Sequence, residues 1–358
     1  APEKQINFVD YDGTIRYSYT AAEFAELAEL PPNPNHTGKI AQGWNWTLAQ
    51  INAQLADCPG GAVWVGQQYT TSDGKTHIRI SIPSGAPSSR RTFGIRFQQT
   101  DGNGVSVDWG DGSTPESHSS TSQSLDHTYA ESGEYDITLD VVSGTMSFIS
   151  AIAKTDDREN NRAIIIDIAF GDGVTSVGEQ ALYGIYSRFT VSVPSGVLFG
   201  DYYMCGSAYG LPASVIPSGT TSVAERMYRY CYGLSVVSVP SGVTSIGPNA
   251  FYDNTGLRGV TIPGGVTSIG ANAFGSCRCL MRIDIPSSVT SIGDSAFSGC
   301  TVMGAYHIRA TTPPTLGSSA FSSIPSDCVI YVPRGSGSAY RSASGWSACA
   351  SQIQEEAS

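Results

Sequence analysis

Hydrophobic positions in the second half of the chain recur with one fixed spacing. An aliphatic residue followed by proline stands at steps of 23 residues, at Val193-Pro194, Ile216-Pro217, Val239-Pro240, Ile262-Pro263 and Ile285-Pro286. Between two such pairs the apolar residues are spread along the whole unit, as at Val243, Ile246, Phe251, Leu257, Val260 and Ile262. A single unit cannot bury these side chains alone, whereas stacked units form a continuous core. The pattern therefore predicts a solenoid.

Each repeat unit contains its own strand and turn signals. Residues 257–262 alternate, which predicts a short strand, and the proline that follows ends it because proline has no N–H to donate. Glycine at 247, 270 and 293 suits a tight bend. We expect inward polar or thiol side chains at one position of the unit, and a structural threonine ladder at another; these are Cys231, Asn254, Cys277 and Cys300, and Thr244, Thr267 and Thr290. Free buried thiols are the simpler interpretation, with Cys277–Cys300 and Cys328–Cys349 disulfides left open.

The blocks P-S-G-V-T-S-I-G-x-x-A-F that start at Pro240, Pro263 and Pro286 resemble the BspA-type leucine-rich repeats of bacterial surface proteins. The resemblance covers about 165–350 and implies a right-handed solenoid with 23-residue coils, closed by a cap within 310–349. We assign the solenoid domain to 151–350 and a tail to 351–358. Two units depart from the pattern, with Met204-Cys205 and Met227-Tyr228 at the A-F position. We expect irregular coils there.

Residues 86–150 show short alternating runs separated by turn clusters, which indicates a β-sandwich. The motifs W-G-D-G-S from Trp109, H-T-Y from His127 and G-x-Y-x-I-T-L from Gly133 resemble a PKD domain, and imply an immunoglobulin-like extracellular spacer. Trp109 and His127 are then structural. The acidic residues of this segment suit turn formation, and a bound cation is the alternative; they are Asp101, Asp108, Asp111, Glu131 and Asp136.

Residues 1–85 predict a small α+β domain. The signals are a hairpin at Asp12-Gly13, a capping box from Thr20 to Glu23, a helix over 47–57 and strands over 63–69 and 77–82. The order D-G-T, L-P-x-x-P-x-x-x-G and G-W resembles the Listeria–Bacteroides (internalin B-type) repeat, which implies a β-grasp-like fold. Three tryptophans form either part of its core or a sugar platform; they are Trp44, Trp46 and Trp64.

The composition excludes several fold classes and kinds of binding partner. Only 14% of residues are charged, 40 are Gly and 19 are Pro, which excludes a helical bundle, a coiled coil and a disordered chain. The net charge is −11 and no Lys/Arg run exists, so we expect neither nucleic-acid nor anionic-membrane partners. No apolar run reaches the roughly 20 residues of a spanning helix. The chain starts at Ala1, so we expect a removed signal peptide and an extracellular location.

The sequence points to binding rather than catalysis. Nucleophile-elbow, HExxH and phosphate-loop motifs are absent, so we expect no enzyme, cofactor or metal site. One outward strand column of the solenoid is predicted as a ligand face, with a merely solvated face as the alternative. The column is Ser192, Val215, Ser238, Thr261, Asp284 and His307, with Val236, Arg258, Arg282 and Tyr306 beside it.

We therefore expect a monomeric, secreted or cell-surface bacterial adhesion protein that binds a host or cell-surface protein or a glycan through its exposed repeat strands. The N-terminal modules would act as spacers. Two alternatives remain open. One is a structural protein of a phage or prophage tail or surface. The other is a glycan-binding accessory of a polysaccharide-utilisation system.

Overall fold

The computed structural model describes residues 5–88, 91–99, 104–142, 144–153, 164–185, 187–200 and 204–357. Three parts follow one another in this range, and all three are mainly β. An N-terminal α+β body comes first, a two-sheet sandwich follows, and the parallel strands of a solenoid complete the chain.

The N-terminal body is a four-stranded sheet with two helices. Strand β1 pairs with β2 as the predicted hairpin and with β4 in parallel, and the sheet order is β2-β1-β4-β3. The predicted capping box is present, because Thr20 and Glu23 each bind the other's backbone N–H. The elements are β1 (Ile6–Val9), β2 (Ile15–Tyr19), α1 (Ala21–Ala25), β3 (Lys39–Trp44), α2 (Leu48–Asp57) and β4 (Val63–Thr71).

The sandwich begins earlier than residue 86. Strand β5 lies inside the segment that the sequence assigned to the N-terminal domain, yet it pairs with β10 from residue 76 to residue 82. The boundary therefore moves to the turn after β4, because backbone pairing follows the sheet rather than the composition of the segment. The elements are β5 (Thr76–Ile82), β6 (Thr92–Gln99), β7 (Val105–Asp108), β8 (Glu116–His118), β9 (Ser122–Thr128), β10 (Gly133–Val141) and β11 (Met146–Ala153).

The motifs of the sandwich meet at one corner. Trp109 is buried and stacks on the His127 ring at 4.9 Å, while the Tyr129 hydroxyl donates to the Trp109 carbonyl at 2.9 Å. Asp111 binds His127 at 2.7 Å and accepts from the Ser113 N–H, and the Ser113 hydrogen bonds and His127 lower its pKa to about 2. The structural role predicted for Trp109 and His127 is confirmed. Asp101 lies outside the described residues.

The two sheets of the sandwich continue directly into the solenoid. Strand β12 pairs antiparallel with β5, and β13 pairs in parallel with β11. Further coils add parallel strands in two rows, here called ladders, and one hydrophobic core runs from the sandwich to the C-terminus. Pairing within the first ladder is interrupted between β14 and β16 and between β20 and β22, and within the second between β15 and β17. The first ladder is β12 (Ile164–Ala169), β14 (Thr190–Ser192), β16 (Ala213–Val215), β18 (Val236–Ser238), β20 (Gly259–Val260), β22 (Arg282–Ile285), β24 (Ala305–Ile308), β26 (Val329–Val332) and β27 (Ile353–Glu355). The second is β13 (Val174–Val177), β15 (Leu198–Phe199), β17 (Ser222–Val223), β19 (Ser245–Ile246), β21 (Ser268–Ile269), β23 (Ser291–Ile292) and β25 (Thr315–Leu316).

The interior of the solenoid follows the repeat closely. Aromatic rings on successive coils stack with centroids 5.1–5.5 Å apart, from Tyr228 through Phe251, Phe274 and Phe297 to Phe321. The thiols of Cys231, Cys277 and Cys300 are buried and each donates to a carbonyl oxygen 26 residues earlier. All eight cysteines are free, so neither of the two disulfides considered above, Cys277–Cys300 and Cys328–Cys349, is formed. The predicted threonine ladder is confirmed, since Thr267 and Thr290 each donate to the threonine carbonyl one coil earlier.

The C-terminal residues close the solenoid. Helix α3 (Gly337–Ser342) and a 3-10 helix (Trp346–Gln352) bring Trp346 onto Phe321, where its indole N–H donates to the Pro314 carbonyl at 2.8 Å. The expected tail at 351–358 is wrong, because β27 pairs in parallel with β26 and ends the first ladder. The edge of β26 is thereby paired, and the three-residue β27 becomes the outer strand of this sheet.

Candidate binding site on the strand face

The predicted column of outward side chains lies on the first ladder, and the N-terminal body covers most of it. Ser238 and Thr261 are 1% and 3% exposed, and Ser192 and Val215 are also buried. Each of these residues contacts the N-terminal body. The column was predicted to be an exposed face, and that prediction is wrong over these coils because the chain places its own N-terminal segment there.

Strand β4 crosses the column, and around Trp64 it hydrogen-bonds to side chains of the solenoid. The Trp64 N–H donates to Thr261 Oγ1 at 2.7 Å, and the Thr261 hydroxyl lies 3.2 Å from the Ala62 carbonyl oxygen. One coil earlier, the Ser238 hydroxyl lies 2.9 Å from the Trp64 carbonyl oxygen. Hydroxyls at successive coils thus satisfy backbone groups of β4 that would otherwise be buried without a partner.

Asn45 completes this junction from the loop before α2. Its side-chain amide donates to the Ile216 carbonyl at 3.2 Å, and its Oδ1 accepts from the Gly66 N–H at 2.8 Å. The neighbouring Trp46 donates its indole N–H to the Val239 carbonyl at 2.8 Å and is otherwise buried in the N-terminal core. The structure therefore excludes a shared sugar platform of Trp44, Trp46 and Trp64, since Trp46 is core and Trp64 faces the solenoid.

Helix α2 holds the next two turns of the solenoid. Gln54 donates to the Ile262 carbonyl at 3.0 Å and accepts from the Gly264 N–H at 2.7 Å. Asp57 accepts from both the backbone N–H and the hydroxyl of Ser287. At the other end of the contact, the Lys39 ammonium donates to Ser192 at 2.9 Å. These contacts extend from the coil of Ser192 to the coil of Ser287.

Two glycines make the close approach possible. A Cβ at Gly259 would stand 2.3 Å from the Trp64 ring, and a Cβ at Gly66 would stand 2.6 Å from Val215. Gly259 lies in the strand column between Val236 and Arg282, so the indole occupies the space that a side chain would fill. This glycine is the one sequence signal that could have indicated the contact, because most other coils carry a side chain at its position.

A buried ion network ends the contact near the C-terminus. The Arg309 guanidinium binds Asp284, both oxygens of Glu356 at 2.6–2.7 Å, and the Pro59 carbonyl. Burial alone would lower the pKa of Arg309, but Asp284 and Glu356 outweigh burial and raise it. His307 binds Glu356 at 2.9 Å, and its pKa is lowered because its burial disfavours the charged ring. Asp284 and His307 thus have partners within the chain.

An open cleft remains between β4 and the strands beside the column. It has a volume of about 180 Å³. Arg258 is exposed and Arg282 is 35% exposed with its guanidinium 3.2 Å from Asp284. Met281, which is 63% exposed, and the half-buried Trp64 also line the cleft. Two guanidinium groups beside an indole and a thioether give a site for a ligand that carries both acidic and apolar groups.

The eight predicted site residues therefore separate into several groups. Arg258 and Arg282 border the cleft. Ser238 and Thr261 belong to the contact with the N-terminal body, and Asp284 and His307 belong to the ion network. Val236 is buried two residues before Ser238 on β18. Tyr306 was predicted beside the outward column, but it is fully buried against Phe297 and Phe321 because it alternates inward on β24. Among the described residues, no three His, Cys, Asp or Glu side chains are grouped to hold a metal ion.

Parallel strands on successive coils and a stacked interior define the second half of the chain as a leucine-rich-repeat solenoid. Residues 160–280 and 199–326 match the family described as BspA type leucine rich repeat region, with six copies. The repeat region is therefore BspA-like, as the sequence motifs indicated.

Three solved structures are similar to parts of this chain. A leucine-rich-repeat protein of T. pallidum is 23% identical, with 51% of this chain and 85% of that chain covered and a TM-score of 0.43. One from Eubacterium ventriosum is 27% identical, covering 37% and 36% of the two chains with a TM-score of 0.33. A leucine rich cell surface protein from Faecalibacterium prausnitzii is 20% identical, covering 60% and 91% with a TM-score of 0.22. No match was found among curated proteins.

Proposed function

We propose that this chain is a non-catalytic, extracellular bacterial binding protein that engages a host or cell-surface protein or a glycan. The matched repeat family is typical of surface-associated binding proteins, which supports this role. No helix in the described part of the chain is long and apolar enough to cross a membrane. The PKD-like assignment of the sandwich and the β-grasp-like assignment of the N-terminal body belong to the same proposal, as do secretion and a monomeric state.

The cleft beside β4 carries the binding proposal. Arg258 projects from it, and Arg282 is held by Asp284 without being enclosed. A surface binding site needs side chains that the protein's own fold leaves accessible, and these two arginines are the members of the predicted ligand set that meet this condition. We propose that they bind carboxylate groups of the ligand, with Trp64 and Met281 packing on its apolar part.

The test is a binding screen of the full chain on an array of host matrix proteins and of carboxylated and neutral glycans. For the ligand that binds, Arg258→Ala and Arg282→Ala should each weaken affinity about tenfold or less, because each removes one partly exposed ionic contact. Raising the salt concentration should weaken wild-type binding. Arg278→Ala is the matched control, since Arg278 is exposed but does not line the cleft.

Two results would count against the cleft. One is a ligand whose affinity neither arginine substitution changes. The other is an equal loss with Arg278→Ala, which would indicate a general charge effect rather than this site.

A further inference from the structure

A second exposed cluster lies away from the cleft, in the segment that follows the second strand of two coils. Tyr209 and Tyr232 stack with centroids 4.8 Å apart, and Tyr232 is 41% exposed. Tyr230 lies 6.2 Å from Tyr232 and 5.8 Å from Tyr252 between ring centroids. The aromatic cluster is Tyr209, Tyr230, Tyr232 and Tyr252, with Arg229 and Asp253 at its border.

The cluster occurs where the repeat sequence departs from its own pattern. The coil that starts at Pro217 carries Arg229, Tyr230 and Tyr232, whereas the coil from Pro263 has Gly275, Ser276 and Arg278 at these positions. The next coil has Ser298, Gly299 and Thr301. Non-aromatic residues therefore suffice to build the turn, and the fold does not require aromatic side chains there.

The backbone conformation at Tyr230 is also unusual for a residue with a bulky side chain. Its φ is +63°, and the equivalent residues of other coils are Ser207, Asp253, Ser276 and Gly299, with φ of +56° to +76°. This left-handed conformation suits glycine or a small polar residue and disfavours a bulky side chain. A tyrosine retained in a disfavoured conformation on the surface indicates a role outside folding.

The stack ends at Tyr232, which is 41% exposed, and the face of its ring that is turned away from Tyr209 is here called the open face. The equivalent residue of the next coil is Thr255, so no further ring of this column covers Tyr232 from that side. That next coil also supplies Asp253, whose carboxylate lies 3.4 Å from the Tyr232 hydroxyl. Arg229 lies over the Tyr230 ring at 4.4 Å and over the Tyr252 ring at 5.3 Å.

We infer that this cluster is a carbohydrate-binding site for a neutral pyranose. The open face of Tyr232 would pack on the apolar C–H face of the sugar ring. The carboxylate of Asp253 would accept hydrogen bonds from two adjacent sugar hydroxyls, because an ionised carboxylate has only acceptor sites. Tyrosine hydroxyls at the border can both donate and accept. The site is separate from the cleft beside β4, so either can fail without the other.

The test uses the full chain and a panel of neutral hexasaccharides, namely cellohexaose, laminarihexaose, mannohexaose and xylohexaose, titrated by calorimetry. We expect millimolar to micromolar affinity for at least one member of the panel. Tyr232→Ala should weaken this affinity at least about tenfold, and Tyr232→Phe should retain most of it because the aromatic face is preserved. Asp253→Asn should weaken it as well.

The sharpest variant adds a ring instead of removing one. Thr255→Tyr should extend the stack over the open face of Tyr232 and abolish binding without removing any side chain of the cluster. Thr301→Tyr is the matched control, because it places the same residue at the equivalent position two coils further, where no ring stack precedes it. Circular dichroism and melting temperature check that both variants fold.

The inference is overturned if no hexasaccharide binds the wild-type chain, or if Thr255→Tyr and Thr301→Tyr bind equally well. Loss of binding with Arg258→Ala, but not with Tyr232→Ala, would assign the sugar to the cleft and would likewise overturn it.

Discussion

The solenoid uses two kinds of contact, one inside and one on its strand face, and they are built on different principles. Inside, successive coils present the same side chain to each other, as Phe251, Phe274 and Phe297 do. On the strand face, each coil presents a different residue to the N-terminal body. Ser238 meets a carbonyl and an amide oxygen, Thr261 meets an N–H and a carbonyl, and Gly259 meets an indole ring.

The difference shows what periodic sequence can and cannot specify. A stacked interior tolerates a fixed repeat because every coil has the same neighbours. A non-repeating partner crosses several coils and meets each one with different atoms, so its contacts must vary from coil to coil. Variation along an otherwise regular outward column is therefore informative, and it marks the coils over which the N-terminal body binds.

The largest expected effect lies in the periodic interior. Phe274 is fully buried between the rings of Phe251 and Phe297, so Phe274→Ala should lower the free energy of unfolding by about 3–5 kcal/mol. Urea unfolding followed by circular dichroism measures the loss. Met281→Ala is the control, because an exposed side chain should change stability by about 0.5 kcal/mol or less. A loss below about 1 kcal/mol for Phe274→Ala would contradict the stacked interior.

A smaller effect is expected on the strand face. Gly259→Ala places a methyl group 2.3 Å from the Trp64 ring, so the ring must move, at a cost of about 1–3 kcal/mol. Combining Gly259→Ala with Trp64→Ala should remove this cost, since the clashing ring is then absent. The coupling energy of the double-mutant cycle, measured by urea unfolding, isolates the contact.

Gly304→Ala is the matched control for this cycle. Its added Cβ would have one neighbour within 4 Å, the Met281 carbonyl oxygen at 3.5 Å, so it should be tolerated. Additive losses from Gly259→Ala and Trp64→Ala would show that β4 does not lie across Gly259 in solution. That result would reopen the strand column as a free surface.

Local and periodic signals were enough to predict much of the fold. The hairpin at Gly13, the capping box at Thr20 and the inward position of Cys277 each depend on a few neighbouring residues or on the repeat. The strand predicted over 257–262 is present, but it is limited to Gly259–Val260. Sequence motifs also placed Trp109 in the core. These features do not require knowledge of which distant segments meet.

Contacts between distant segments could not be predicted in the same way. The hydrogen bond from Trp64 to Thr261 joins residues 197 positions apart, and the sequence around one residue does not indicate the other as its partner. The same limit applies to β5, which carries an ordinary strand pattern that fits either the N-terminal body or the sandwich. The candidate cleft depends on this long-range docking, so only its solenoid side, Arg258 and Arg282, could be proposed from the sequence.

The smallest expected effect concerns a polar contact between strands β5 and β10 of the sandwich. Like the contacts on the strand face, it joins residues that are distant in sequence and follows no repeat. His77 on β5 binds Asp136 on β10 at 2.9 Å and Asp73 at 3.1 Å. The hydrogen bond with Asp136 raises the pKa of His77 above its ordinary value of about 6.5 against the opposing effect of burial. A raised pKa in the folded state means that the charged ring stabilises the fold below the unfolded pKa, and that this contribution is lost as the pH rises through the folded pKa.

His77→Gln should therefore reduce the free energy of unfolding at about pH 5 and have a smaller effect at about pH 8. Urea unfolding of both proteins across this range measures the difference, and a gap that stays constant or widens toward high pH would contradict the ion pair.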